Sequence, residues 1–155
     1  MEKTDRMPPI YQDNPTNEEE IRELIHRFAM AFRAKNVEGV MSIFAPEIVS
    51  YDILPPLQAA GADNFVKHWE EFFNAYEGPI DVDFPDVAIS AGDDVAFSYC
   101  LHRIQGKTKT GQQTDWWLRW TACYRRIHGK WLVVHEQVSV PVDFGSGRAL
   151  FDLKP

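Results

Sequence analysis

The segment from Thr114 to Val140, TDWWLRWTACYRR-IHG-KWLVVHEQVSV, constrains the fold of this chain more than any other. It gathers four of the five tryptophans into two long runs of aromatic and β-branched residues around a Gly-bearing turn, the pattern of a long β-hairpin. A two-residue turn at His128-Gly129 sets Arg126 opposite Trp131, Ala122 opposite His135 and Thr121 opposite Glu136. Alternation then puts Trp116, Leu118, Trp120, Ala122, Tyr124, Trp131, Val133 and His135 on one face. Trp117, Arg119, Thr121, Cys123, Leu132, Val134, Glu136 and Val138 fall on the other. Neither face is polar enough to be left in water. Helices should cover one and a second subunit the other, so Trp120, Tyr124, Trp131 and His135 are expected at or near a two-fold interface. A shift of one residue in the turn would exchange the faces.

Elements upstream alternate in kind. Residues 1–15, with three prolines, read as a flexible arm. Thr16 and Glu19 form a capping box for a first helix, whose apolar stripe is Ile21, Leu24, Ile25, Phe28 and Phe32. A short helix from Val37 to Phe44 closes at Pro46, and a strand runs from Ile48 to Ile53. A third helix spans about Asp63 to Tyr76, ended by Gly78-Pro79. Strand-like alternation follows at Val82 to Ile89 and from Val95 to Ile104, then a polar loop leads into the hairpin. Three helices followed by a run of antiparallel strands make a single α+β domain over 16–140. The tail, 141–155, carries Phe144, Leu150, Phe151 and Leu153 and should pack on the sheet or on the partner subunit.

A chain of 155 residues can bury roughly two thirds of its unfolded surface in one core. A formal charge of −7 and a pI near 5.2 argue against nucleic acid or an anionic membrane as partner. No apolar run is long enough for a membrane span, and the first residues lack the apolar stretch of a signal peptide, so a cytoplasmic setting is the expectation. Cys100 and Cys123 read as free thiols, and no His/Cys spacing suggests a metal site. No cofactor motif is present.

The order of elements, with RFAMAFRAKNVEGVMSIFAPEIVSYD at Arg27 to Asp52, PPLQAAGADNFVKHW ending at Trp69, RWT at Arg119 to Thr121, GKW at Gly129 to Trp131 and HEQVS at His135 to Ser139, resembles the SnoaL-like and ketosteroid isomerase-like branch of the nuclear transport factor 2-like superfamily. The resemblance covers roughly Ile21 to Val140. It implies a curved antiparallel sheet wrapped into a cone around three helices, with a small, mostly apolar ligand inside. Fold alone does not choose between the isomerases, dehydratases, cyclases and non-catalytic binding or assembly modules built on it.

Asp52 falls where ketosteroid isomerases carry the proton-shuttling aspartate. Phe28 stands in place of their oxyanion-hole tyrosine, and Thr121 or Cys123 in place of their protonated aspartic acid. The base is kept and both donors are missing, which turns the reading away from steroid isomerisation. Asp52 is also a strand-end residue before apolar Ile53-Leu54, where partial desolvation makes a carboxylate a stronger base, though a structural cap of the Pro55-Pro56 turn is the plainer role. If Thr121 points into the cone, so do Arg119 and Glu136, and Arg119 could supply the lost electrophile or simply form a structural ion pair with Glu136. Phe28, Phe32, Trp69, Tyr99 and Trp117 would line the pocket or fill it as core. His68, on the same helical turn as Trp69, could reach the mouth of the cone, but an exposed helical histidine is the plainer reading. The expected activity is proton transfer on a small carbonyl compound by a homodimer. The alternative is a non-catalytic ligand-binding module.

Overall fold

The computed structural model describes residues 14–155, so the arm expected over 1–15 lies almost wholly outside it. Helix α1 (Pro15–Arg33) opens two residues earlier than the capping box at Thr16 suggests. Asn14 is the cap: its Oδ1 accepts the backbone N–H of Thr16 and of Asn17, each at 3.1 Å. Pro15 takes the first helical position, where a missing N–H costs nothing. The stripe Ile21, Leu24, Ile25, Phe28 and Phe32 is buried as its spacing requires. Helix α2 (Val37–Met41) is capped by Asn36, and α3 (Ala62–Asn74) buries Phe65 and Phe73.

Strand β1 (Phe44–Tyr51) is longer than expected and runs through Pro46. It tolerates the proline because its pairing slips between Phe44 and Val49, where no ladder donor is needed. The short β2 (Ala59–Ala60) pairs with its edge. Strand β3 (Tyr76–Asp83) likewise passes through Gly78-Pro79 at an irregularity rather than waiting for it. Strands β4 (Ala88–Ala91), β5 (Val95–Thr108), β6 (Gln113–Ile127) and β7 (Lys130–Ser139) complete a curved sheet ordered β2-β1-β7-β6-β5-β3, with β4 also on β5. One pair departs from the antiparallel expectation: β1 runs parallel to β7. The three helices lie on the concave side.

The hairpin turn is as read. His128 and Gly129 both take positive φ, 49° and 78°, and Arg126 faces Trp131. Farther along, the register slips. Tyr124 faces Val133 but Cys123 faces His135, so Val134 is a bulge residue and every later partner moves by one. Ala122 therefore faces Glu136, and Thr121 faces Gln137. Leu118, Trp120, Ala122, Tyr124, Trp131, Val133 and Glu136 point into the core. The expected two-fold interface through Trp120, Tyr124 and Trp131 is thus wrong, since all three are buried within one chain. Burial separates the two faces of β6: Leu118, Trp120, Ala122 and Tyr124 are buried, whereas Arg119, Thr121 and Arg125 are exposed.

Beyond β7, β8 (Val142–Asp143) and β9 (Arg148–Ala149) form a small exposed hairpin. Phe151 returns to pack on Trp116, ring centroids 4.7 Å apart, while Phe144 is 97% exposed.

Candidate functional site

Phe28 sits at the centre of the cone, surrounded by the rings of Phe32, Phe44, Trp69, Phe84 and Trp120 at centroid distances of 5.6 to 6.1 Å. Aromatic side chains from α1, α3, β1 and β6 therefore fill its deep end. Toward the mouth a cavity of about 70 Å³ remains, lined by Phe32, Asp52, Trp69, Phe72, His102 and Leu118, with Ile53 and Leu54 at its rim. Phe28, expected in the lining, is behind it.

Asp52 follows the last residue of β1, and its carboxylate is fixed at both oxygens. Oδ1 accepts the N–H of Ile53 at 2.7 Å, and Oδ2 lies 3.2 Å from Nδ1 of His68 on α3. Both side chains are mostly shielded, 18% and 13% exposed. His68 is not the exposed helical histidine of the plainer reading but takes the alternative, reaching the mouth. It lies one turn past Phe65, and the approach of α3 to the end of β1 turns it onto Asp52.

Glu136 lies beside this pair, 3% exposed. Ser50 Oγ donates to its Oε1 at 3.0 Å and Trp120 Nε1 to its Oε2 at 2.8 Å. Burial pushes its carboxyl up to about 7, with the two hydrogen bonds opposing and the charge of Asp52 adding to the rise. The expected pair with Arg119 does not form, because the bulge at Val134 turns Glu136 inward while Arg119, next to inward Trp120, faces the convex side. There its Nε donates to Ser139 Oγ at 3.0 Å.

His102, unremarked in the sequence, is the other buried ionisable group of the cavity. It occupies an inward position in β5, where Ala96, Ser98, Cys100, His102 and Ile104 alternate with exposed residues. That period-two pattern was the available signal. Burial pushes its imidazole down to about 4, so the ring is neutral near pH 7.

Tyr99, Trp117, Arg119 and Thr121, all expected inside the cone, instead line a depression of about 660 Å³ on the convex face. Its size does not make it the site. It is a groove on an exposed sheet, where Arg119 and Thr121 meet solvent, whereas the smaller cavity holds the fixed carboxylate. Among the described residues, no three His, Cys, Asp or Glu side chains gather to hold a metal ion, and no helix is long and apolar enough to cross a membrane.

A curved mixed sheet wrapped on three helices, with a carboxylate at the mouth of the concavity, defines a protein of the nuclear transport factor 2-like fold. The chain belongs to the SnoaL-like domain family, whose profile matches residues 21–143. A nuclear transport factor 2-like protein of unknown function from Pseudomonas putida KT2440 is 32% identical, with a TM-score of 0.85 over 93% of this chain and all of that one. A proposed dehydratase from Streptomyces avermitilis shares the fold at 16% identity and a TM-score of 0.71, over 84% of this chain and 100% of its own. A proposed scytalone dehydratase from Novosphingobium aromaticivorans does so at 12% identity and 0.70, over 80% and 83%. No curated protein matches the sequence.

Proposed function

We propose that this protein binds a small, mostly apolar carbonyl compound in the cone and moves a proton on it, with Asp52 as the base. The observation that carries this reading is the Asp52 carboxylate, which lines the cavity while Ile53 N–H and His68 hold its two oxygens. A base so fixed loses no freedom when it takes a proton. The carbon next to the carbonyl gives its proton to Asp52, and the electron pair of that bond moves onto the carbonyl oxygen as an enolate. The proton then returns to a different carbon, which is isomerisation, or a β-hydroxyl leaves and takes the proton as water, which is dehydration. Neither course requires a cofactor. Two of the structural neighbours are proposed dehydratases, which favours the second course.

Proton exchange tests this without the natural substrate. Incubated in D2O with small ketones and β-hydroxy ketones, the protein should catalyse deuterium uptake at the carbon beside the carbonyl, read by NMR. Asp52→Asn should lower that rate about 10²–10⁴-fold with an unchanged circular dichroism spectrum. Arg119→Met, on the far face of the sheet, should leave it at the wild-type value. Ligand binding without exchange would favour the alternative, a non-catalytic binding module, a reading supported by the aromatic rings that fill most of the cone.

The functional unit in this reading is a homodimer. On the convex face Val95, Phe97, Tyr99 and Leu101 are 60%, 43%, 56% and 41% exposed, a row of apolar side chains along β5 that a second copy would cover. Light scattering should give twice the chain mass. The free thiols of Cys100 and Cys123 fit a reducing, cytoplasmic setting.

A further inference from the structure

Two side chains that line the cavity carry nitrogens with no partner among the described residues: Trp69 at Nε1 and His102 at both ring positions. Native proteins bond nearly all of their buried polar groups, so unpaired atoms on two side chains lining one small cavity point to an occupant. Its chemistry follows from theirs. Indole N–H can only donate, and a neutral imidazole offers one donor and one acceptor. His102 is neutral because burial opposes its protonation, and no lysine or arginine lines the cavity. An anionic ligand would therefore lie beside the Asp52 carboxylate with no lysine or arginine in the lining to hold it. A cationic ligand would leave the indole N–H unused. A neutral oxygen suits both partners: it accepts from Trp69 and from His102, and as a hydroxyl it can also donate to the bare imidazole nitrogen.

The rest of the lining sets the body of the ligand. Phe32, Phe72 and Leu118 are apolar, and about 70 Å³ has space for only a few non-hydrogen atoms, on the order of a four-carbon compound. We propose that the cavity takes a small neutral compound bearing a carbonyl or hydroxyl oxygen, held by its oxygen at His102 and Trp69 Nε1 with its short apolar part among Phe32, Phe72 and Leu118. This inference rests on the cavity being the ligand site, as proposed above, but not on proton transfer at Asp52. It gives the enolate oxygen its place: the two side chains supply donors that Phe28, standing where related isomerases carry a tyrosine, cannot.

Matched probes test it at binding equilibrium. Butan-2-one and butan-2-ol are titrated against their hydrocarbon isosteres 2-methylbut-1-ene and 2-methylbutane into the full chain, followed by the indole N–H resonance of Trp69 and the ring nitrogens of His102. The oxygenated member of each pair should bind at least about tenfold more tightly, the equivalent of about 1.4 kcal/mol. It should also move the Trp69 N–H signal downfield and shift a His102 nitrogen. In His102→Phe the preference should shrink while the hydrocarbons still bind; Trp69→Phe is the second variant should the first not fold. Equal binding of both members, or Trp69 and His102 signals that stay fixed on saturation, would overturn the inference and leave the cavity as an apolar ligand site. Binding of no probe would remove both. Absence of deuterium exchange would bear on the proton-transfer reading alone.

Discussion

Glu136→Gln isolates the cost of one buried acid. In the folded protein the Glu136 carboxyl is raised from 4.5 to about 7, so between those values the native state holds a proton that the unfolded chain has released. Stability must then fall as pH rises through this window, with the full cost present above about 7 and absent below 4.5. At about 1.36 kcal/mol for each tenfold difference in proton affinity, the loss is roughly 3 kcal/mol. His102 acts in the opposite sense. Its imidazole is lowered from 6.5 to about 4, so stability falls as pH drops from 6.5 toward 4, by a similar amount. The two slopes oppose each other between 4.5 and 6.5, so the wild-type protein alone reads as nearly indifferent there.

The variant separates them. Glutamine can accept from Trp120 with its oxygen and donate to Ser50 with its nitrogen, preserving both bonds while removing the titration. Urea melts followed by tryptophan fluorescence from pH 4.5 to 8 should show Glu136→Gln gaining on wild type steadily as pH rises, by roughly 3 kcal/mol across the range. The variant itself should be markedly less stable at pH 4.5 than at pH 7, because the His102 slope is no longer offset. A difference between the two proteins that stays constant with pH would refute the assignment of a proton to buried Glu136.

Other consequences are sharper locally. Phe28→Ala removes the ring at the centre of five others and should cost about 3–5 kcal/mol by denaturant unfolding; a loss below about 1 kcal/mol would mean that the cone repacks freely. Gly106→Ala would set a methyl 2.7 Å from the Tyr76 ring and should cost about 1–3 kcal/mol. Asn14→Ala removes the α1 cap, and a loss of about 0.5–2 kcal/mol is expected in the same assay.

Local patterns were legible in the sequence because each depends on neighbours along the chain. The α1 stripe through Phe28 and Phe32, the two-residue turn at His128-Gly129 and the strand ending beside Asp52 all follow from spacing, propensity and turn chemistry. What the sequence could not supply was the phase of the long strands. One bulge residue, Val134, re-phases β7, so that Glu136 stands opposite Ala122 instead of Thr121. Because side chains alternate with period two, assigning the wrong face carried Tyr99, Trp117, Arg119 and Thr121 to the convex surface together. His68 was legible only as an alternative, and His102 not at all, for a related reason. Each is an isolated histidine in its own element, and only the packing of α3 against β1 brings His68 to Asp52, while β5 closing over the same space brings in His102. The sequence by itself determined the elements and the carboxylate at the end of β1. Contacts between residues far apart in the chain, which no local pattern encodes, decided which side chains surround that carboxylate.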